Sequence, residues 1–197
     1  MLIQPARRET QLLSRRHLCA AFGAIPLLSH DLLAATEELP ETEDNVEGPF
    51  YKAGAPERAD LIDKGMPGTP LTVGGRVFST TGEPLAGALL DVWQANSEGE
   101  YDNQGFTLRG RLLAGKDGSY RFHTIVPKFY RAGETIRPSH IHLKVSAPGH
   151  PLLTTQLYFK SAPYNYSDPD VRPSLMLTPL DGTDGKSAQF DFVLRHA

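Results

Sequence analysis

The sequence contains one cysteine, Cys19, among 197 residues. This residue lies in an amino-terminal segment that we expect to be removed, so the mature protein would have neither a disulfide nor a thiolate ligand. Any metal would then be held by histidine, tyrosine or carboxylate side chains. Such a donor set disfavours structural zinc and blue copper.

Strong net charge and long apolar runs are also lacking. The formal net charge is −3, which gives no reason to expect nucleic acid or an anionic membrane as a partner. The apolar run from Cys19 to Leu28 is far shorter than the roughly 20 residues that span a bilayer. No stretch shows sustained helical periodicity, whereas 18 glycines and 16 prolines indicate frequent turns between short strands.

The amino terminus carries paired arginines, Arg15 and Arg16, ahead of this modest apolar run. That order resembles a twin-arginine export signal, and the small residues Ala34 and Ala35 offer a cleavage point. We therefore predict a signal peptide over residues 1–35, export to the periplasm, and no membrane attachment afterwards. Cleavage would make the net charge −5. The alternative is a basic tail or a short first helix.

The remainder of the chain reads as an arm followed by one domain. Residues 36–69 are acidic, rich in proline and without periodicity, so we predict an extended arm whose segment Glu47–Tyr51 docks on the domain. Residues 70–197 show short alternating segments separated by turns, with no internal repeat. This pattern predicts an all-β fold, an antiparallel-rich β-sandwich of the prealbumin or immunoglobulin kind with long active-site loops.

Within the domain, we expect Leu71–Phe78 and Ala88–Ala95 to form a hairpin, with an irregularity at Gly74-Gly75. Long polar connections are predicted over 96–118, 125–139 and 161–173, and loops of this length are often functional. Further strands are predicted over 119–124, 137–145 (entered at Pro138), 152–160 and 188–195.

We take the chain to be organised around the segment from Arg137 to Val145 (RPSHIHLKV). Read as a strand, it places its aliphatic residues on one face and His140 and His142 on the other. Alternate strand residues lie roughly 6.5 Å apart and point the same way, so two imidazoles can bind one metal ion. A solvated strand face is the simpler interpretation of this motif when it is considered alone.

Tyr101 and Tyr130 lie in two of the predicted loops. A phenol has a reference pKa of about 10 and becomes a good ligand only beside a strong Lewis acid. Fe(III) meets this requirement better than Zn(II), and two phenolates neutralise two of its three charges. A site of two histidines and two tyrosines would therefore hold iron in the ferric state.

Four ordered segments carry a specific resemblance: Leu90–Tyr101 (LDVWQANSEGEY), Thr124–Tyr130 (TIVPKFY), Arg137–Leu143 (RPSHIHL) and Thr155–Phe159 (TQLYF). Together they resemble the intradiol ring-cleavage dioxygenases, non-haem ferric enzymes that cleave catechols between the two hydroxyl-bearing carbons. The match covers roughly residues 46 to 195.

The resemblance implies one Fe(III) per subunit, with the ligands falling on Tyr101, Tyr130, His140 and His142. It implies that Tyr130 also accepts a catechol proton. Arg137 would stabilise negative charge on the substrate, and Gln156 takes the position of the family's active-site glutamine. Both atoms of O₂ would enter a cis,cis-muconate-type diacid.

The resemblance implies a catechol-type small molecule and O₂ as partners. Because no helical amino-terminal region is evident, we expect a protocatechuate-like substrate. The short 130–137 loop leaves the pocket shape open, and the sequence also leaves open a homo-oligomer or a related second subunit. Two alternatives have other chemistry: an exported prealbumin-like binding module without catalysis, and a zinc or manganese enzyme using His140, His142 and a carboxylate.

Overall fold

The computed structural model describes residues 38–197, so the predicted signal peptide lies outside the described residues. The described chain contains twelve strands and two short 3₁₀ turns, Asn165–Ser167 and Pro173–Leu175. Ten strands form two five-stranded sheets, and the other two form a small ribbon.

The first sheet is built around β1 (Pro70–Ser79), which pairs antiparallel with β4 (Ser119–Ile125) along one edge. Along its other edge β1 pairs in parallel first with β11 (Gly185–Gln189) and then with β12 (Phe192–Leu194). The change of partner falls at the Gly74-Gly75 pair, where an irregularity is predicted, although β1 itself continues through it. The outermost strand, β10 (Leu180–Gly182), pairs with β11.

The second sheet has the order β3-β2-β7-β8-β9. All of its pairs are antiparallel except β8 with β9. The strands are β2 (Leu89–Gln94), β3 (Arg109–Leu113), β7 (His140–Ser146), β8 (Leu153–Phe159) and β9 (Met176–Leu177). The ribbon is formed by β5 (Tyr130–Ala132) and β6 (Thr135–Arg137).

One hydrophobic core contains residues from both five-stranded sheets. Val73, Phe122 and Phe192 come from the first sheet, and Val92 and Leu143 come from the second; all are fully buried. Burial of a large apolar side chain stabilises the fold by about 1.5–3 kcal/mol. The alternation that places these residues inward is the pattern read from the sequence, and the predicted antiparallel-rich β-sandwich is confirmed.

Three details of the predicted layout are wrong. The segments expected to form a hairpin, β1 and β2, lie in different sheets, and β2 pairs with β3 and β7 instead. The predicted 96–118 loop contains β3, whose sequence RGRLL hides a strand because Arg109 is buried at a position where an apolar residue is expected. The predicted 125–139 connection contains the β5–β6 ribbon.

The described part of the arm, residues 38–69, follows the domain surface through backbone hydrogen bonds. Leu39 N donates to Thr80 O over 2.7 Å, and Asn45 N donates to Thr154 O over 2.8 Å. Single bridges also join Glu57 to Arg111 and Asp60 to His123. Within residues 38–197 no helix is long and apolar enough to cross a membrane.

Candidate metal centre

His140 and His142 project from β7 on the face opposite Ile141, as the period of two predicts. Both are buried, with 2% and 1% of their surface exposed, so this part of the strand is covered on both faces. Their Nε2 atoms are 3.0 Å apart. Two nitrogen atoms that bind one metal ion at about 2.1 Å each, with a nitrogen–metal–nitrogen angle near 90°, are separated by about this distance.

Different contacts orient the two imidazoles. His140 Nδ1 lies 2.6 Å from Pro138 O, and since a carbonyl can only accept, Nδ1 carries the proton and Nε2 keeps its lone pair. His142 Nδ1 is buried without a hydrogen-bond partner among the described residues. Burial lowers the pKa of His140 to about 4 and that of His142 well below its usual value. Both rings are therefore neutral at pH 7.

Tyr101 reaches the histidines from the loop between β2 and β3. Its hydroxyl lies 3.2 Å from His140 Nε2, to which it donates. The next residue stabilises the loop, because the Asp102 carboxylate accepts backbone N–H groups of Gly105 and Thr107 over 2.7 and 2.9 Å. These hydrogen bonds hold the pKa of the Asp102 carboxyl well below its usual range, and the bond from Thr107 has the largest effect.

Tyr130 begins β5 and brings the second phenol to the same place. Its ring is perpendicular to that of Tyr101, with centroids 5.5 Å apart, and its centroid is 5.7 Å from that of His140. The two tyrosine loops touch at Gly99, where a Cβ would lie 2.6 Å from Phe129 O. Glycine permits this close approach and also the local φ of +89°.

The donor set fits a hard, highly charged cation. Burial raises the pKa of Tyr101 well above its usual value and also raises that of Tyr130, so a strong Lewis acid is needed to remove the phenol protons. No three His, Cys, Asp or Glu side chains within residues 38–197 are placed to hold a metal. The phenol oxygen of Tyr101, 3.2 Å from His140 Nε2, is therefore the nearest further donor recorded beside the two imidazoles.

Arg137, the last residue of β6, lies directly opposite Tyr130 in the ribbon. Its Nε donates to Asp168 Oδ2 over 2.6 Å, and its Nη2 donates to Gln156 Oε1 over 3.0 Å. Burial acts to lower the pKa of Arg137, but the hydrogen bond and charge of Asp168 prevail and raise it. Arg137 is thus a permanent cation held in one orientation by protein partners.

Aromatic residues form a layer around these side chains that the sequence analysis did not assign to the site. Phe50, from the arm, stacks on Tyr101 with centroids 4.4 Å apart. Trp93 stacks on His142. Tyr51 packs on Trp93 and donates a hydrogen bond to Asp91 over 3.1 Å. Tyr166, by contrast, has 91% of its surface exposed to solvent.

A cleft of about 670 Å³ opens beside both tyrosines. Volumes of several hundred Å³ are usual for sites that bind small molecules. Its lining combines aromatic rings, two cations and two acids: Phe50, Glu98, Gly99, Glu100, Tyr101, Asn103, Lys128, Phe129, Tyr130 and Arg131.

The β-sandwich thus brings two histidines, two tyrosines and an oriented arginine close together. Comparison with known proteins gives the class of protein. The family model described as Dioxygenase matches residues 46–196. The chain therefore belongs to the intradiol dioxygenase family, which comprises ring-cleaving oxidoreductases.

Individual relatives show how far the likeness extends. The 6-chlorohydroxyquinol 1,2-dioxygenase of Cupriavidus pinatubonensis is 38% identical over 85% of this chain and 70% of that protein. The chlorocatechol 1,2-dioxygenase of Rhodococcus opacus is 35% identical over 79% and 73%. A Streptomyces dioxygenase domain, from a dioxygenase carbohydrate-binding protein fusion, superposes with a TM-score of 0.75 at 45% identity, covering 80% of this chain and all of that domain.

Proposed function

We propose that this enzyme holds one Fe(III) on Tyr101, Tyr130, His140 and His142 and cleaves a catechol between its two hydroxyl-bearing carbons, giving a cis,cis-muconate-type diacid. The observation that carries this proposal is the approach of the two Nε2 atoms to 3.0 Å, with a phenol oxygen 3.2 Å from one of them. Family membership and the relatives that act on catechols support the same chemistry.

Bound Fe(III) would supply the Lewis acidity that lowers the pKa of phenols and catechol hydroxyls and would make the catechol reactive toward O₂. The protein provides proton transfer and orientation. Tyr130 Oη would accept a proton from one catechol hydroxyl. Tyr101 is stacked on Phe50, and its Oη already lies 3.2 Å from His140 Nε2, so it would keep its position when both atoms bind iron.

Arg137 would stabilise negative charge that develops on the substrate. Two of its nitrogens already donate to Asp168 and Gln156. Gln156 is itself fixed, because its Nε2 donates to Val46 O over 2.7 Å and its Oε1 accepts from Tyr158 Oη over 3.1 Å. This arrangement positions the guanidinium before substrate arrives, and preorganised donors are the effective ones.

Neither alternative has comparable support. A zinc or manganese site needs a carboxylate beside His140 and His142, and no such group is present among residues 38–197. A binding module without catalysis would have no need to bury two phenols against two imidazoles.

The test is metal analysis and a visible spectrum of the purified protein, followed by product analysis with catechol under ¹⁸O₂. We expect about one iron per chain, a tyrosinate-to-Fe(III) absorption band, and a diacid that carries both labelled atoms. A colourless protein that does not turn over catechol after iron loading would overturn the proposal.

We also propose export to the periplasm by the twin-arginine route, supported by Arg15 and Arg16 ahead of the apolar run. Replacement of both arginines by lysine should retain the protein in the cytoplasm, as cell fractionation would show. Equal export of the variant would contradict this route. The mass of the exported protein in solution would distinguish a single chain from a homo-oligomer and from a complex with a related second subunit.

A further inference from the structure

The guanidinium of Arg137 forms ion pairs with two carboxylates, those of Asp168 and Asp170. Asp168 Oδ2 accepts from Nε over 2.6 Å, and Asp170 Oδ2 lies 3.5 Å from Nη2. One cation faces two anions, so the charge at this side of the site is negative rather than positive. Because Arg137 lies opposite Tyr130 in the ribbon, this negative charge is next to the proposed proton acceptor.

The side chains of Asp168 and Asp170 differ in burial and therefore in role. The Asp168 side chain is 1% exposed, and its second oxygen accepts the backbone N–H of Asp170 over 2.9 Å. The Asp170 side chain is 31% exposed. Its carbonyl is held by Asn45 Nδ2 over 2.8 Å and by Tyr158 Oη over 3.2 Å. Asp168 thus orients the arginine, whereas Asp170 lies at the solvent edge of the same group.

We propose, on the basis of the function proposed above, that this site selects catechols without an ionised ring substituent and that Asp170 excludes carboxylated ones. A guanidinium is ordinarily a good receptor for a carboxylate. Here a substrate carboxylate would have to displace a protein carboxylate or lie beside an uncompensated like charge. Like charges that meet in a partly buried site oppose binding strongly.

The cleft beside Tyr101 and Tyr130 provides no net compensating charge. It carries Lys128 and Arg131, but Glu98 and Glu100 balance them in number. At about 670 Å³, this cleft can admit a ring with a substituent. On this proposal, the discrimination is therefore by charge rather than by size.

This inference departs from the protocatechuate-like substrate expected from the sequence. The absence of a helical region carries no information about the charges of the 161–173 segment. Nothing in the sequence pairs Asp168 and Asp170 with Arg137, which precedes Asp168 by 31 residues.

The experiment compares kcat/KM per bound iron for catechol, protocatechuate and the methyl ester of protocatechuate, which keeps the ring and a larger substituent but lacks the charge. In the unaltered enzyme we expect kcat/KM for the ester to exceed that for protocatechuate by about tenfold. In Asp170→Asn, kcat/KM for protocatechuate relative to that for catechol (the acid-to-catechol ratio) should rise about tenfold. The corresponding ratio for the ester should change less than about twofold.

Two further variants separate the explanations. Glu83→Gln removes one negative charge from an exposed position between β1 and β2, outside the cleft lining, and its acid-to-catechol ratio should stay within about twofold of the unaltered enzyme. Asp168→Asn should lower kcat/KM for all three substrates, because the arginine loses the partner that positions it.

Equal use of acid and ester by the unaltered enzyme would overturn the inference, as would rejection of both, which indicates exclusion by size. An unchanged ratio in Asp170→Asn, or an equal rise in Glu83→Gln, would overturn it too. Failure of the iron-loaded enzyme to cleave catechol would instead overturn the proposed function, so the two failures are distinguishable.

Discussion

The indole of Trp93 lies flat against the imidazole of His142, with ring centroids 4.7 Å apart and planes inclined by 5°. The two residues are register partners across β2 and β7. Gly48 also approaches, since a Cβ built on it would lie 3.4 Å from His142 Cε1. His140 is oriented by a hydrogen bond to Pro138 O. For His142, packing takes the place of such a bond.

If this stacking positions His142, Trp93→Leu should release iron to a chelator about tenfold faster than the unaltered protein, because residues that orient a ligand affect metal affinity on this scale. Trp93→Phe keeps a flat ring and should release iron at nearly the original rate. Urea unfolding of the iron-free proteins provides the control, since Trp93→Leu should also destabilise the fold by about 3 kcal/mol. Equal iron release by both variants would show that stacking has no role in retention.

His140→Ala should abolish iron binding and ring cleavage while the sandwich stays folded, because the site loses a nitrogen that lies within 3.2 Å of two of the other three donor atoms. Iron content, activity and circular dichroism check the three parts of this expectation. His123→Ala is the matched control, since that histidine is exposed on β4. Full activity in His140→Ala would refute the ligand assignment.

Tyr130→Phe removes only the phenol oxygen and should abolish turnover, because the proton acceptor for the catechol hydroxyl is lost. The ring and its packing against Tyr101 would remain, so no change in the unfolding midpoint is expected. Tyr166→Phe, at an exposed position, should leave turnover unaltered. Normal rates in Tyr130→Phe would contradict the role given to this oxygen.

Arg137→Ala should retain iron but lower kcat by roughly two orders of magnitude, the usual effect of removing one donor that stabilises reaction charge. Arg137→Lys keeps the charge but cannot donate to both Asp168 and Gln156 with the same planar geometry. It should therefore recover only part of the lost rate. Unchanged turnover at normal iron content would show that the arginine is structural.

The sequence predicts those parts of the site that follow from local periodicity. His140 and His142 share one face of β7 because strand side chains alternate, and this needs no knowledge of the neighbouring strands. The pairing of Trp93 with His142 depends instead on the register between β2 and β7, which periodicity does not specify. The wrong hairpin between β1 and β2 has the same origin.

Arg109 illustrates a different limit of sequence reasoning. Its guanidinium is buried, donates from Nε to Asp102 O over 3.1 Å, and lies 6.0 Å from the centroid of the Tyr101 ring. A charged residue is normally read as exposed, so the sequence predicts a loop where β3 lies. Arg109 Nη1 and Nη2 are buried without a hydrogen-bond partner among the described residues, and burial of this kind cannot be found from hydrophobic pattern alone.

Gly99→Ala tests whether contact between the two tyrosine loops holds the site together. Alanine here must adopt a φ of +89° and place its Cβ 2.6 Å from Phe129 O, whereas Gly149→Ala has a similar φ of +79° with nothing within 4 Å. Backbone strain alone should cost about 1 kcal/mol in Gly149→Ala. The added clash should raise the cost to about 3 kcal/mol in Gly99→Ala and displace the neighbouring Tyr130. Urea unfolding and iron content measure both effects. Equal destabilisation with full iron in both variants would show that the loops adjust independently and that the two phenols are positioned by other contacts.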